Sequence, residues 1–371
     1  MKIAFLIHSF SAGGAEKQFN MLSTKLSEKG YENFFIVYKN TDHFYDVKNI
    51  TIKYVPKKYK IDLFFLLSLV KLIKKEKIDI LFSCYEGHFE APMLWARLGK
   101  LFCPNVKIIS GYRALRQNKS LLLLEKLTNR LCDLIISNNP KTEDILVNKA
   151  HINKDKIKYI PNIIDKTNFK ALSSGKIKNL RSHFFPGNET RFICGMIARY
   201  VPQKNHQSVV KAAKIINNQG ELDKFFFSFY GDISSYKSQY NKLHLMINKF
   251  GLGKNFELNG TIEEVNNFIN ACDAIILPSL FEGFSNVVSE SILCKKPVII
   301  SKNANEAELV QEGVNGFVFN TNNHEKLAEY ILELERKPIN ISNKFVNSFL
   351  EEYRVDKVVS KYIEEFNSLI A

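Results

Sequence analysis

Short β-rich runs alternate along this chain with amphipathic stretches of helical period, and the alternation starts twice. No other feature narrows the fold as much. Alternating strand and helix signals indicate parallel sheets wound on both faces by helices. In the first series the spacing predicts strands at 2–7, 33–38, 50–55, 80–84, 107–110, 134–137 and 157–160. Helices are predicted at 15–29, 63–77, 88–100, 121–131 and 140–147. A polar stretch at 166–188, with Ser-Ser-Gly-Lys and Pro-Gly-Asn, reads as a connection. The second series has strands at 191–198, 225–230, 256–259, 274–277, 298–301 and 316–319. Its helices fall at 206–217, 235–250, 265–271, 286–294 and 324–336. The 371 residues suffice for two such domains. The expected division is 1–170 and 171–343, two doubly wound α/β domains facing each other across a cleft. A helical segment at 344–371 crosses back onto the first.

Bulk properties exclude several classes. No run of about eighteen apolar residues exists, so no spanning helix is expected. The opening M-K-I-A-F-L-I-H-S-F turns polar too early for a signal peptide and reads as a first buried strand. The cysteines, Cys84, Cys103, Cys132, Cys194, Cys272 and Cys294, are scattered without a C-x-x-C pair, which favours free thiols of a cytosolic protein. Net charge is +14, but it is unevenly placed. Residues 1–185 hold 32 Lys and Arg against 16 Asp and Glu, a net of +16; the remainder is −2. A Lys-rich coding bias would act on both halves equally. The asymmetry points to an anionic partner for the first half.

Three motifs carry candidate chemistry. The first is P-S-L-F-E-G-F-S-N-V-V-S-E, from Pro278 to Glu290. Glu282 sits in a Gly-containing loop after an apolar run, and Glu290 lies in the amphipathic segment beyond it. Strand, tight loop and helix start would bring free backbone N–H groups and a positive dipole end beside two acceptor carboxylates. A sugar nucleotide, an anion bearing hydroxyls, suits that arrangement. A loop cap and a solvated helix face would also account for the two glutamates. The second is Gly13-Gly14-Ala15-Glu16-Lys17, after the first strand, where adjacent glycines admit a close backbone approach to phosphate. It is neither a dinucleotide fingerprint nor a P-loop. The third is Arg199 and Lys204 in A-R-Y-V-P-Q-K-N-H, past the strand at 191–198. Two cations there can neutralise a diphosphate, although a solvated loop could hold the same pair.

The order G-G-A-E, P-N-I-I-D (Pro161 to Asp165), R-x4-K and E-x7-E resembles the retaining GT-B glycosyltransferases of family GT4, over essentially the whole chain. The likeness is strongest from Arg191 to Phe319. It implies that Arg199 and Lys204 bind the donor diphosphate and stabilise the departing nucleotide. Glu290 would accept from the ribose hydroxyls and Glu282 from those of the donor sugar. The amides of Phe284, Ser285, Asn286 and Val287 would face the phosphates. Gly14 would add a backbone contact, and the base would lie near Gly260 to Val265. Negative charge developing on the leaving phosphate is what fixed cations and N–H groups stabilise. No D-x-D occurs, so no metal or other cofactor is expected beyond the nucleotide-sugar co-substrate.

Several positions depart from the family pattern. Gly111-Tyr112-Arg113 stands where many relatives carry a His, so Tyr112, Arg113 and Arg116 are acceptor-side candidates, with Arg113 and Arg116 placed to grip a phosphate. His88 is a further cleft candidate, or a packed loop histidine. Asp232 replaces a usual glycine, and Ala304-Asn305-Glu306 a Gly-Gly pair. On the membrane side, Lys57, Lys58 and Lys60 precede a strongly apolar, Lys-flanked helix, and 121–130 adds a second apolar stretch. Both could lie at a lipid interface or face the sheet. The resemblance and the charge together imply a bacterial enzyme on the cytoplasmic face of the inner membrane. It would move a hexose or N-acetylhexosamine from a UDP-sugar to a lipid-linked glycan, with an anionic membrane surface as partner. Epimerisation or hydrolysis on the same scaffold is a rival. Nucleic-acid binding is opposed by the lack of a helix-turn-helix, zinc spacing or aromatic-interleaved basic motif.

Overall fold

A computed structural model describes residues 1–9, 14–39, 50–59, 61–85, 92–113, 119–164 and 166–371. They form two compact units: Met1–Ile163 with Tyr353–Ala371, and Ile164–Glu352.

The first unit is built on β1 (Lys2–Ile7), β2 (Glu32–Val37), β3 (Ile52–Tyr54), β4 (Ile80–Tyr85), β5 (Lys107–Tyr112), β6 (Leu134–Ser137) and β7 (Ile157–Tyr159). They pair in parallel in the order β3-β2-β1-β4-β5-β6-β7. Both faces are covered, which is why β1 is continuously apolar from Ile3 to Ile7 rather than alternating. Ile3, Phe5 and Ile7 pack with α1 (Gly14–Glu28) and with the C-terminal helix Val355–Ile370. Ala4 and Leu6 face the other side, against α2 (Leu63–Glu76) and α3 (Pro92–Lys100). Further along that side lie α4 (Lys119–Thr128) and α5 (Thr142–Ala150). Asp62 starts α2. Its Oδ1 accepts from Phe65 N at 2.9 Å and its Oδ2 from Lys58 N at 2.8 Å. These backbone donors, Phe65 first, hold its carboxyl below the usual range.

In the second unit α6 (Ser174–Phe184) precedes β8 (Phe192–Ile197), α7 (Gln207–Asn218), β9 (Phe225–Tyr230) and α8 (Lys237–Lys249). Then come β10 (Phe256–Asn259), α9 (Val265–Ala271), β11 (Ala274–Leu277), α10 (Asn286–Leu293) and β12 (Val298–Ser301). The unit closes with β13 (Gly316–Phe319), α11 (His324–Arg336) and α12 (Asn343–Glu352); the C-terminal helix is α13. The parallel order is β10-β9-β8-β11-β12-β13. Each sheet reverses its winding once, between β1 and β4 and between β8 and β11. Ligands of open α/β sheets bind beyond the carboxyl ends of the strands flanking such a reversal.

Three expectations change. The stretch at 166–188 is not simply a polar connection: it contains α6, fixed by Arg181. Its Nη1 meets Asp273 at 2.9 Å, and its Nε donates to Glu189 O at 2.7 Å. The helical segment at 344–371 is two helices, because Arg354 is extended (φ −52°, ψ 135°). Only α13 joins the first unit; α12 stays with the second. The boundary after β7 also falls at Ile163 rather than 170. Lys170 N and Leu172 N donate to Asn266 and Asn270 of α9, at 3.1 and 2.9 Å. All six cysteines are among the described residues, are buried and form no disulfide. No helix among the described residues is long and apolar enough to cross a membrane.

Candidate active site

The loop after β8 carries Arg199 and Lys204, and the loop after β11 carries Glu282. Neighbouring strands at the winding reversal therefore bring together residues far apart in sequence. Lys204 Nζ lies 2.5 Å from Glu282 Oε1, with both side chains largely buried. Three contacts stitch the loops together around this pair. Leu280 N donates to Gln203 O at 2.8 Å. Gln203 Nε2 donates to Phe281 O at 2.9 Å. Asn205 Nδ2 donates to Pro278 O at 3.2 Å, and Asn205 itself is left-handed at φ 53°. Asn tolerates that conformation better than most residues, which lets the loop turn directly after Lys204. Gln203 and Asn205 were not singled out in the sequence; an Asn beside the critical Lys was the available signal.

Arg199 is exposed at the rim, its Nη1 3.5 Å from Tyr236 OH. The next residue points inward. Tyr200 OH donates to Phe229 O (3.2 Å) and Asn259 O (3.0 Å), and its ring stacks on His206. His206 is buried; desolvation and nearby Lys204 push its pKa down to about 3, so the ring stays neutral. The Tyr200–His206 wedge thus presses the cationic loop onto the ends of β9 and β10. There Gly231 N donates to Gly260 O at 3.0 Å. A Cβ on Gly231 would stand 2.3 Å from Ala198 O, so only glycine fits. Asp232, in place of a second glycine, accepts from Ser234 Oγ (2.7 Å) and Ser235 N (3.2 Å). Burial opposes its ionisation, but these bonds prevail and hold the carboxyl below its usual range.

Beyond Glu282, Phe284 and Ser285 are buried and Ser285 caps α10. The first helical residues, Asn286 and Val287, begin the turn whose N–H groups have no intrahelical acceptor. Glu290 lies buried one turn further on. Gly260 is exposed at the end of β10, and Val265 opens α9. All donor-side residues of the second unit thus collect along one edge of its sheet. Gly14, exposed at the start of α1, lies at the carboxyl end of β1 in the first unit.

The acceptor-side candidates fare differently. Tyr112 is fully buried and its hydroxyl donates to Glu125, so it faces the interior and no ligand. Glu125 Oε1 also meets Arg97 Nη1 at 3.0 Å; all three residues are sealed from solvent. Burial and the carboxylate push the Tyr112 hydroxyl pKa up, keeping it a donor. Arg113 bridges structural groups: Nη1 donates to Asn162 Oδ1 (3.1 Å) and Nη2 to Tyr362 OH (3.2 Å), with Phe19 beneath it. It clamps α13 to the sheet rather than presenting a bare guanidinium. His88 and Arg116 lie outside the described residues, as does Lys60.

Residues 12–168 match the family model Glycosyltransferase Family 4, and residues 180–349 match glycosyl transferases group 1. The chain belongs to the group 1 glycosyltransferases of family 4. An uncharacterised glycosyltransferase of Methanocaldococcus jannaschii is 30% identical over 306 residues, 78% of this chain and 76% of that protein. The UDP-Gal:alpha-D-GlcNAc-diphosphoundecaprenol alpha-1,3-galactosyltransferase of Escherichia coli is 27% identical, covering 81% of this glycosyltransferase and 79% of the relative. Anabaena HepE, solved with UDP-glucose, shares the fold at a TM-score of 0.86 and 20% identity, over 99% of this chain and 100% of that one. The two parallel α/β units are those of a GT-B glycosyltransferase.

Proposed function

We propose that this glycosyltransferase moves a hexose or N-acetylhexosamine from UDP-sugar to a lipid-linked glycan, retaining anomeric configuration, in O-antigen, capsule or lipopolysaccharide assembly. The observation that carries the reading is the Lys204–Glu282 pair, beside Arg199, at the winding reversal of the second sheet. The donor class and lipid-linked acceptor draw support from the E. coli relative, whose name gives both.

Each residue then has a task. Arg199 and Lys204 neutralise the diphosphate as its bond to the sugar breaks, and the N–H groups at the start of α10 add donors that need no reorganisation. Glu290 accepts from the ribose hydroxyls. Glu282, held by Lys204, accepts from the sugar hydroxyls. Gly260 and Val265 border the base. The leaving phosphate takes the acceptor's proton as the new bond forms on the face it vacates, so no enzymic nucleophile is required. Two protein cations beside the diphosphate supply the charge a chelated metal would otherwise bring, and the reaction proceeds without one. The enzyme works at the anionic cytoplasmic face of the inner membrane, where such acceptors lie.

The test is transfer from a panel of UDP-sugars to diphosphate-linked N-acetylhexosamine lipids, with and without EDTA, followed by NMR of the product linkage. The reading expects one sugar transferred with α configuration from an α donor, at a rate EDTA leaves unchanged. Hydrolysis or epimerisation without acceptor, or an inverted product, contradicts it.

A further inference from the structure

Among the described residues of the second unit, five buried side-chain polar atoms have no hydrogen-bond partner: His206 Nε2, Ser208 Oγ, Ser279 Oγ, Thr321 Oγ1 and His324 Nδ1. All five lie at the carboxyl edge of the sheet, behind Lys204. His206 and Ser208 open α7 after β8, Ser279 follows β11, and Thr321 and His324 lead into α11 after β13. Ser208 and Ser279 are sealed from solvent and His206 is buried. Away from this edge the unit pairs what it buries. Asn255 Nδ2 donates to Leu222 O and Phe225 O, both at 3.0 Å, and Asn270 Nδ2 donates to Lys170 O at 3.0 Å. Leaving a buried hydroxyl unpaired is costly, so a cluster of such groups calls for an occupant.

Asn205 joins the three loops. It follows Lys204 directly, and its Nδ2 donates to Pro278 O at 3.2 Å and to Asn322 Oδ1 at 3.3 Å. Ser279 adjoins Pro278, and Thr321 adjoins Asn322. Ser208 N donates to Asn205 O at 2.9 Å, and α7 and α11 pack side by side. Three unpartnered hydroxyls are thus carried on backbone tied to one residue. Their chemistry selects what binds them. Neutral His206 has one ring nitrogen on Ala198 O and offers Nε2 as an acceptor, while each hydroxyl can donate or accept. Burial and then Lys204 lower the pKa of His206, and burial and then Lys211 lower that of His324, so the local field is positive and disfavours a cation. An anion would face the Nε2 lone pair. Water both donates and accepts, and a buried water makes about three bonds to groups of this kind.

We infer that the loops after β8, β11 and β13 enclose a binding site for ordered water, held by the hydroxyls of Ser208, Ser279 and Thr321, and that this water positions Lys204. The lysine is already fixed on its near side, where its N donates to Val201 O at 3.0 Å and its Nζ meets Glu282 at 2.5 Å. The water holds the backbone just beyond it, at Asn205, against two other loops. Ser208, Ser279 and Thr321 are positioning residues: they act through solvent and Asn205 on the cation that meets the diphosphate. The water site stands on these atoms alone. Its effect on catalysis rests on the proposed function.

The test begins with a high-resolution crystal structure of the full chain. It should show ordered solvent oxygen within hydrogen-bonding distance of at least two of the three hydroxyls; no such density would overturn the inference. Thermal melts of Ser279→Ala and Thr321→Val come second. Removing a hydroxyl bound to water should lower the melting temperature by about 2–4 °C. Removing an unpaired one relieves a desolvation penalty, so an unchanged or raised melting temperature would overturn the inference. Thr321→Ser keeps the hydroxyl and should recover most of the loss. Melts of the wild type in potassium chloride and in N-methylglucamine chloride should agree; a shift specific to potassium would make the occupant a cation and overturn the inference. In the transfer assay, Ser279→Ala and Thr321→Val should lower kcat about three- to tenfold at unchanged KM for UDP-sugar, with Thr321→Ser near the wild type. Lowered melting with wild-type kcat would overturn the positioning of Lys204. If the wild type transfers no sugar while density and melts follow the stated pattern, the proposed function and the effect on Lys204 fail and the water site stands.

Discussion

Replacing Gln203 by Ala removes a side chain that has no assigned contact with donor or acceptor and so tests whether the two loops act as one unit. Its Nε2 makes one hydrogen bond, to Phe281 O at 2.9 Å, immediately before Glu282. A net hydrogen bond is worth about 1 kcal/mol. In a unit of this size that lowers the melting temperature by about 2–4 °C. The backbone bond from Leu280 N to Gln203 O survives the substitution, so the loop stays folded but is held at fewer points. If that hydrogen bond aligns Lys204 with the breaking phosphate bond, its loss should appear almost whole in the transition state. The expected fall in kcat/KM for the donor is then about five- to tenfold, since about 1.4 kcal/mol is tenfold. Thermal melts and initial rates on one preparation separate the two effects. A lowered melting temperature with wild-type kcat/KM would refute the positioning argument and leave the bond a stability contact.

Other residues yield further expectations. Lys204→Ala should reduce turnover at least about a hundredfold, by removing a cation from the leaving phosphate, while the protein still melts cooperatively; wild-type turnover would remove Lys204 from the site. Tyr112→Phe should cost about 1–3 kcal/mol in denaturant unfolding, because Glu125 loses a buried donor, yet leave kcat of the folded enzyme unchanged. A selective loss of acceptor affinity would return Tyr112 to the acceptor side. His206 has its pKa depressed in the folded state, so the unfolded chain binds the extra proton and stability falls as pH drops from about 6.5 toward about 3. Between pH 7 and pH 5 this one group should cost about 2 kcal/mol. His206→Phe should lose less stability than the wild type over that interval by about this amount; equal losses would contradict the buried neutral ring.

Most strands were legible as short apolar runs buried on both faces, β1 most plainly, while the edge strands β3, β7 and β10 are partly exposed. α6 was not, because its only apolar stripe, Ile177, Leu180 and Phe184, is thin, half-buried and set in a polar sequence. Its anchor, Arg181 on Asp273, spans ninety-two positions. The break before α13 was equally hidden, since apolar residues keep helical spacing through α12 and α13 while the chain passes from one unit to the other. For the site, the sequence contained the residues but not the order of strands that joins them. Only the adjacency of β8 and β11 makes Lys204 and Glu282 partners. Tyr112 was misread for the same reason. A hydroxyl at a strand end looks available until Glu125, thirteen positions on, is folded over it. Gln203 and Asn205 act through main-chain carbonyls of another loop, a contact that carries no signature in residue type.

The central claim is that the carboxyl edge of the second sheet binds the nucleoside diphosphate of a sugar donor. Calorimetric titration of UDP into the wild type and Glu290→Ala, both in EDTA, tests it most directly. Hydrogen bonds to a charged group are worth about 1.5–3 kcal/mol each. The account predicts metal-free binding by the wild type, weakened at least about tenfold in the folded variant. Equal affinity in the two proteins, or no binding of UDP by the wild type in EDTA, would contradict it.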